Sequence, residues 1–174
     1  MRKLLCLLVV GLVMNPTAAS AVTRYWDPND TRKIIDVHKV ATDQGHGETF
    51  IQIIGWDRWA GSDIGRRFGS FFRVSLDTLG GARVDRLLDF FFIEHKEQYF
   101  CEMLDRSGDR VRERLVANYE ELFRARISCT FPSKWLGYDS GKRADFYVDA
   151  WSLGRRVDRA PDARRYRGLR DKKH

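Results

Sequence analysis

The stretch Leu76–Ile93 constrains the fold more than any other part of this chain. It reads LDTLGGARVDRLLDFFFI, in which Asp77 ends one apolar strand, Gly80-Gly81 supplies a turn, and a second, strongly apolar strand follows. Two glycines between two such segments are typical of a β-hairpin. We expect a hairpin this hydrophobic to lie in the middle of a β-rich core, with the rest of the chain packed around it.

Alternating apolar and polar residues predict further strands on both sides of the hairpin. Phe72, Val74 and Leu76 alternate with polar residues in its first arm, and Ala144–Trp151 shows the same period of two. Glycine and aspartate turns separate about eight such segments. The pattern predicts an all-β domain, an antiparallel β-sandwich of the jelly-roll type with about eight strands and one disulfide.

The segment Asp109–Ile127 fits two interpretations. Its residues Val111, Leu115 and Tyr119 fall at helical spacing, with good helix formers between them. Against a helix, residues 123–131 alternate strictly between apolar and polar side chains, which is the period of a half-buried strand. We choose two strands for this segment and leave a helix open for its first half.

The first 21 residues have the pattern of a cleaved signal peptide. Arg2 and Lys3 precede an apolar run from Leu4 to Met14, and Ala19-Ser20-Ala21 fits a signal-peptidase site. The apolar run is shorter than the roughly 20 residues that a membrane span needs. We therefore expect a secreted, extracellular chain with no transmembrane segment.

The positive charge of the chain is concentrated at its C-terminal end. The formal net charge is +7, and residues 154–174 hold nine Lys or Arg against three Asp. Residues 22–160 are predicted to form the β-sandwich domain, and residues 161–174 a basic, disordered tail. Such a tail suits an anionic cell-wall polymer or another secreted protein as partner. Its single aromatic residue, Tyr166, argues against specific nucleic-acid recognition.

One disulfide is expected in the secreted chain. Signal cleavage would leave two cysteines, Cys101 and Cys129, and an even number of cysteines in an exported protein predicts a disulfide. Both residues lie on the apolar faces of their predicted strands. A metal site would need more ligands than these two thiols.

Segments at both ends of the secreted chain resemble a known group of proteins. Residues 27–31 (DPNDT) and 35–37 (IDV) open the chain, and residues 158–162 (DRAPD) close it. The chain is similar to uncharacterised secreted actinobacterial β-sandwich proteins, which open with D-P-x-D-T…L-D-I and close with D-x-A-P-D. Residues 128–137 also look similar, whereas Lys33 stands where that group has a glycine. The resemblance implies the sandwich fold and favours strands over a helix, and it implies no activity.

The sequence contains no established catalytic motif. It has no Gly-x-Ser-x-Gly and no His-Glu-x-x-His pattern, and its four histidines are scattered. We therefore favour a non-catalytic domain that binds a partner or a cell-envelope polymer. The alternative is a small secreted hydrolase with its site on the sandwich loops, where a pair of carboxylates could lie close in space.

Three aspartates are the candidate ligands for calcium, and no other cofactor is expected. Asp27 and Asp30 stand just before one predicted strand, and Asp77 ends another. If the sandwich brings these turns together, their carboxylates supply the oxygen donors that calcium prefers. The alternative is that each aspartate caps its own turn.

Tryptophans offer a second kind of candidate site. Trp59 lies in a long polar loop between two predicted strands, where its ring could stack on a sugar. Tyr25, Trp26 and Trp135 are candidates of the same kind. The alternative for each is a place in the core, because tryptophan is highly buried on average.

Overall fold

Two antiparallel β-sheets pack face to face in the computed structural model, which describes residues 23–29, 35–45, 47–79, 83–121, 123–137, 143–160 and 166–170. The described strands are β1 (Thr23–Trp26), β2 (Val37–Gly45), β3 (Glu48–Gly55), β4 (Phe71–Asp77), β5 (Arg86–Ile93), β6 (Gln98–Asp105), β7 (Leu115–Val116), β8 (Asn118–Glu121), β9 (Ala125–Pro132), β10 (Arg143–Ser152), β11 (Arg155–Ala160) and β12 (Tyr166–Arg170). Short 3₁₀ helices occupy Gly61–Ile64, Arg66–Phe68, Glu94–Lys96 and Ser133–Leu136. The predicted antiparallel sandwich is confirmed.

The strand order defines a first and a second sheet. The first sheet has the order β1-β2-β3-β9-β8, and the second has the order β11-β10-β4-β5-β6-β7, with β12 also paired to β10. The predicted hairpin forms β4 and β5, with Phe72 opposite Phe90 and Leu76 opposite Arg86. These two strands occupy the middle of the second sheet, so the hairpin has the central place that its apolar sequence predicts.

The core lies between the two sheets and follows the period of two within each strand. Phe72, Val74 and Leu76 of β4 are fully buried, and Phe90 of β5 faces the same core. Because neighbouring residues of a strand point to opposite faces, Arg73 and Ser75 lie on the outer face of the second sheet. Burial of a large apolar side chain contributes roughly 1.5–3 kcal/mol, so this central hairpin is a main source of stability.

A disulfide between Cys101 and Cys129 joins the two sheets across the core. Cys101 belongs to β6 of the second sheet and Cys129 to β9 of the first. Their side chains are 1 % and 2 % exposed, and their Cα atoms are 6.4 Å apart. The predicted bond is confirmed, and it is an internal bond between sheets.

The ambiguous segment forms strands, as chosen from the sequence, but three of them where two were predicted. A turn stabilised by Asp105, whose carboxylate accepts from the backbone N–H of Asp109 at 2.9 Å, leads away from β6. The chain then returns as β7, β8 and β9, and Tyr119 of β8 lies opposite Ile127 of β9. The helical spacing of this segment does not produce a helix. Strand pairing and burial of one face stabilise the strands instead, and both are available only in the folded sheet.

Three strands, β1, β11 and β12, lie where the sequence predicts none. Ala144–Trp151 is the last strand that the sequence predicts, so β11 and β12 lie beyond it. β1 pairs antiparallel with β2, although the sequence predicts only a turn before residue 34. β12 pairs with β10 and lies within residues 161–174, so its five residues extend the second sheet into the segment predicted to be a disordered tail. The predicted signal peptide, residues 1–21, lies outside the described residues. Among the residues that are described, no helix is long and apolar enough to cross a bilayer.

Candidate functional site

Three buried aspartates converge beside the first strands of the chain. Asp27 follows β1, Asp36 precedes β2, and Asp158 belongs to β11. One carboxylate oxygen from each lies within 4.8 Å of the other two, and the residues are 4 %, 1 % and 7 % exposed. Backbone bonds hold the first two in place: the N–H of Asp27 donates to the carbonyl of His38, and the carbonyl of Asp36 accepts from the N–H of Trp56.

The third aspartate also links the two sheets. The backbone N–H of Val37 in the first sheet donates to the carboxylate of Asp158 in the second, at 2.8 Å. Carboxylate oxygens are ligands that calcium prefers, so Asp27, Asp36 and Asp158 are the described residues that could hold a cation. Their burial also fits a purely structural role in joining β2 to β11.

The predicted calcium ligands are only partly brought together. Asp27 belongs to the buried group, whereas Asp30 lies outside the described residues. Asp158 shares a row of the second sheet with Ala150 and Phe72, and Asp77 lies five residues further along β4, about 17 Å away along the strand. Asp77 therefore does not join Asp27, and calcium binding stays a prediction.

Sequence reasoning missed Asp158 altogether, and it counted Asp36 among the oxygen donors at strand ends without choosing it as one of the three candidate ligands. The one available signal is that Asp36 lies in the IDV segment and Asp158 in the DRAPD segment, two of the segments that carry the family resemblance. The spacing of these aspartates in the sequence does not indicate that they meet. Val37, the residue after Asp36, is 121 positions before Asp158. Their meeting depends on the pairing of β11 with β10 and on the packing of the sheets.

A second feature is an exposed aromatic and cationic surface on the first sheet. It consists of Trp26, His38 and Trp56 together with the cations Arg24, Lys39, Arg124 and Arg126, and we call it the Trp26–Trp56 surface. Trp26 lies opposite Lys39, which lies opposite Ile54, which lies opposite Arg126, so one row crosses four strands. This row alternates with the buried residues Val40, Ile53 and Ile127, which places it on the outer face of the sheet.

The aromatic rings of this surface form a short continuous cluster of edge-on and tilted contacts. The His38 ring lies 4.9 Å from the Trp26 ring and 4.0 Å from the Trp56 ring. The Lys39 ammonium lies 4.4 Å from the centre of the Trp26 ring, and the Arg124 guanidinium lies 4.8 Å from the centre of the Trp56 ring. Trp26 is nevertheless 62 % exposed, so its ring is open to a ligand.

The cations of this surface raise its positive potential. Desolvation lowers the pKa of Lys39, and the neighbouring charges of Arg24, Arg126 and Arg124 lower it further. Desolvation and then Arg124 and Lys39 likewise lower the pKa of His38. The same row ends in an acidic residue, Glu120, whose carboxylate lies 3.5 Å from Arg126. Four positive charges against this one carboxylate leave the surface suited to an anion.

The other tryptophan candidates lie in or against the core. Trp59 is 1 % exposed and packs on Phe72 and Tyr119, with ring centres 5.3 and 5.1 Å apart. The hydroxyl of Tyr119 donates to the carbonyl of Trp59, and a Cβ at Gly55 would lie 2.5 Å from the indole nitrogen of Trp59. A sugar therefore cannot reach Trp59 in this conformation, which matches the core alternative. Trp135 is half-buried against Phe131.

Comparison with known proteins identifies no relative. No protein-family model matches the chain, and no curated protein and no solved structure matches it. The resemblance to secreted actinobacterial sandwich proteins therefore stays an inference from sequence motifs.

Proposed function

We propose that this protein is a secreted, non-catalytic binding domain whose Trp26–Trp56 surface binds an anionic cell-envelope polymer, specifically an acidic polysaccharide. The observation that carries the proposal is the exposed Trp26 ring beside four cations on one face of one sheet. An acidic polysaccharide presents both an apolar sugar face and a carboxylate or phosphate in each repeat. The surface offers a partner for each of these two chemical groups.

The chemistry of each side chain supports this assignment. The face of an exposed indole packs well against the C–H face of a sugar, and aromatic contacts add about 0.5–1.5 kcal/mol beyond the area that they bury. The guanidinium groups of Arg124 and Arg126 can each bind a carboxylate or phosphate with two hydrogen bonds. Desolvation lowers the pKa of Lys39, and repulsion from the neighbouring positive charges lowers it further. A bound anion would relieve this repulsion, so the charges favour anion binding.

The disulfide supports secretion. Disulfides persist in oxidising environments such as the extracellular space, and the Cys101–Cys129 bond is buried between the sheets. Together with the pattern of the first 21 residues, it is consistent with an exported chain that acts at the cell surface.

The hydrolase alternative has less support from the carboxylates described above. Asp27, Asp36 and Asp158 are at most 7 % exposed, so a polymer cannot reach them in this conformation. A glycosidase needs its two carboxylates on either side of an accessible bond, about 5–9.5 Å apart. The buried trio meets neither requirement, since its oxygens lie within 4.8 Å of one another.

Binding to a defined acidic polysaccharide tests the proposal. We would measure the dissociation constant of the secreted chain, with its disulfide formed, for polygalacturonate and for neutral dextran by isothermal titration calorimetry. We expect binding to polygalacturonate alone, weakening as salt increases. Trp26→Ala should raise the dissociation constant about three- to tenfold, and Arg124→Gln should raise it and flatten its dependence on salt.

Matched controls come from exposed residues elsewhere. Val116 is 60 % exposed, close to the value for Trp26, and Arg110 is an exposed arginine in another turn. Val116→Ala and Arg110→Gln should leave the dissociation constant unchanged. Equal binding by wild type, Trp26→Ala and Arg124→Gln, or no binding by wild type, would overturn the proposal.

A further inference from the structure

Two turns meet at a tip that is separate from the Trp26–Trp56 surface. One turn, Leu153-Gly154, joins β10 to β11, and the other ends the 3₁₀ helix Arg66–Phe68 at Gly69. The N–H of Gly154 donates to the carbonyl of Gly69 at 3.0 Å, and the N–H of Leu153 donates to the hydroxyl of Ser70 at 3.2 Å. These bonds hold the two turns as one unit, which we call the Phe68–Leu153 tip.

The tip presents two large apolar side chains to solvent. Phe68 is 50 % exposed and Leu153 is 73 % exposed. Leu153 also has φ of +52°, a left-handed conformation that glycine or asparagine adopts at lower energy. The two-residue turn between β10 and β11 requires this positive φ, since Gly154 has φ of +74° as well. A leucine at this position therefore adds backbone strain and contributes little packing to the fold.

Four arginines flank these two apolar residues. Arg66 and Arg67 precede Phe68, and Arg155 and Arg156 follow Gly154. The side chains of Arg66 and Arg156 remain 49 % and 48 % exposed although they contact Glu102 and Asp149 respectively.

Three carboxylates lie near the tip and do not cancel its positive charge. Glu94 is half-buried, and its carboxylate lies against Gly65, next to Arg66. Glu102 and Asp149 are 2 % and 4 % exposed, so they lie beneath the arginines rather than at the surface.

Glu102 and Asp149 each have another arginine partner. Arg114 lies 3.0 Å from Glu102, and Arg159 lies 2.6 Å from Asp149. Four arginines against one half-buried carboxylate therefore leave the tip apolar at its apex and net positive around it.

A pair of stacked aromatic rings lies just behind the apex. Trp151, two residues before Leu153, stacks on Phe71 with the ring centres 5.7 Å apart and the planes 7° apart, and both side chains are half-buried. The indole nitrogen of Trp151 is buried, so in this conformation the pair supports the tip from behind and does not itself face a lipid headgroup.

We propose that the Phe68–Leu153 tip inserts into the surface of a bilayer that contains anionic lipids. Leu153 and Phe68 enter the boundary between headgroups and acyl chains, and the four arginines bind the lipid phosphates. This order of groups, apolar first and cationic behind, matches a bilayer, in which the anions surround an apolar interior. An acidic polysaccharide offers no such interior for the side chain of Leu153, so this site differs from the polymer surface and does not depend on it.

Vesicle binding tests the proposal. The secreted chain, with its disulfide formed, is sedimented with sucrose-loaded vesicles of phosphatidylcholine, alone or mixed with phosphatidylglycerol. We expect binding to the mixed vesicles and little binding to the neutral ones. Leu153→Asn should lower the partition constant about tenfold, through loss of one buried leucine side chain, and Arg67→Gln or Arg155→Gln about fivefold each.

Matched variants keep the test specific and guard against unfolding. Asparagine accepts a positive φ, so Leu153→Asn should fold at least as well as wild type. Leu79 is also 73 % exposed, and Leu79→Asn should leave vesicle binding unchanged. Brominated acyl chains should quench tryptophan emission in wild type and less so in Leu153→Asn.

Three outcomes would overturn the proposal. These are equal binding to neutral and mixed vesicles, unchanged binding by Leu153→Asn, and binding that is lost in Trp26→Ala but kept in Leu153→Asn. The last outcome would assign lipid binding to the Trp26–Trp56 surface instead. Polygalacturonate binding by the same variants is a separate measurement, so failure here leaves the polymer proposal to be judged by its own result.

Discussion

The backbone N–H of Val37 donates a 2.8 Å hydrogen bond to the carboxylate of Asp158, which lies 121 positions later in the chain. Val37 is fully buried, so water cannot replace this acceptor if it is lost. The bond connects the second strand of the first sheet to β11 at one edge of the second sheet. It therefore fixes how these two parts of the sandwich meet.

We predict that Asp158→Ala is less stable to urea than Asp158→Asn by about 1–3 kcal/mol, because a buried N–H without an acceptor costs this much. Both substitutions remove the charge from the aspartate group, but only asparagine keeps an acceptor oxygen. The control is Asp57, an exposed aspartate, where Ala and Asn should be equally stable. Equal stability of the two Asp158 variants would show that the bond contributes nothing.

The disulfide should stabilise the sandwich by roughly 3–4 kcal/mol, the chain-entropy value for a loop of its length. Its two cysteines are 28 positions apart and close that loop between the sheets. We expect the Cys101→Ala, Cys129→Ala double variant to unfold at correspondingly lower urea. Residues 22–174 of the wild type, denatured without reductant, should show no reactive thiol, and two reactive thiols would contradict the bond.

Stability should fall as the pH drops below about 6.5, because of His38. Its pKa in the folded protein is lowered from 6.5, first by desolvation and then by Arg124 and Lys39. The unfolded chain therefore binds a proton at higher pH than the folded protein does, and stability is lost as the pH falls through the folded pKa. The free energy of unfolding in urea, measured for wild type and His38→Gln between about pH 7.5 and pH 5, tests this. The range spans the ordinary histidine pKa.

The pH slope should be smaller in His38→Gln than in wild type. His95 is exposed on the turn between β5 and β6 and provides the matched variant, His95→Gln, which should keep the wild-type slope. If His38→Gln and wild type lose stability in parallel, another group is responsible.

Replacing the strained leucine at the tip should stabilise the fold. Leu153 adopts φ of +52° with its side chain 73 % exposed, so Leu153→Gly removes strain of about 1 kcal/mol and little packing. Thermal unfolding in the absence of lipid should give a higher Tm for Leu153→Gly than for wild type. Leu79→Gly, at equal exposure, should lower the Tm or leave it unchanged, and a lower Tm for Leu153→Gly would contradict the strain.

Local sequence patterns were enough to predict most of the strands and the disulfide. The period of two between Phe72 and Leu76 reflects burial of one face of a strand, and this effect acts on neighbouring residues, so it can be read locally. Cys101 and Cys129 were predictable because the expected removal of residues 1–21 would leave two cysteines, which allow only one internal pairing. Local reading failed at β1, β11 and β12, because these strands are short and mostly polar and show no clear alternation of apolar and polar residues.

Only the tertiary structure decided which residues share a site. Asp158 meets Asp27 through the packing of β11 on the first sheet, whereas Asp77, chosen from its turn alone, lies far along β4. The sequence offers no reason to place Trp59 and Trp26 differently, yet Trp59 lies in the core and Trp26 lies on an outer face. The pairing of strands and the packing of sheets determine these contacts, and both act between residues whose separation in the chain carries no local signal.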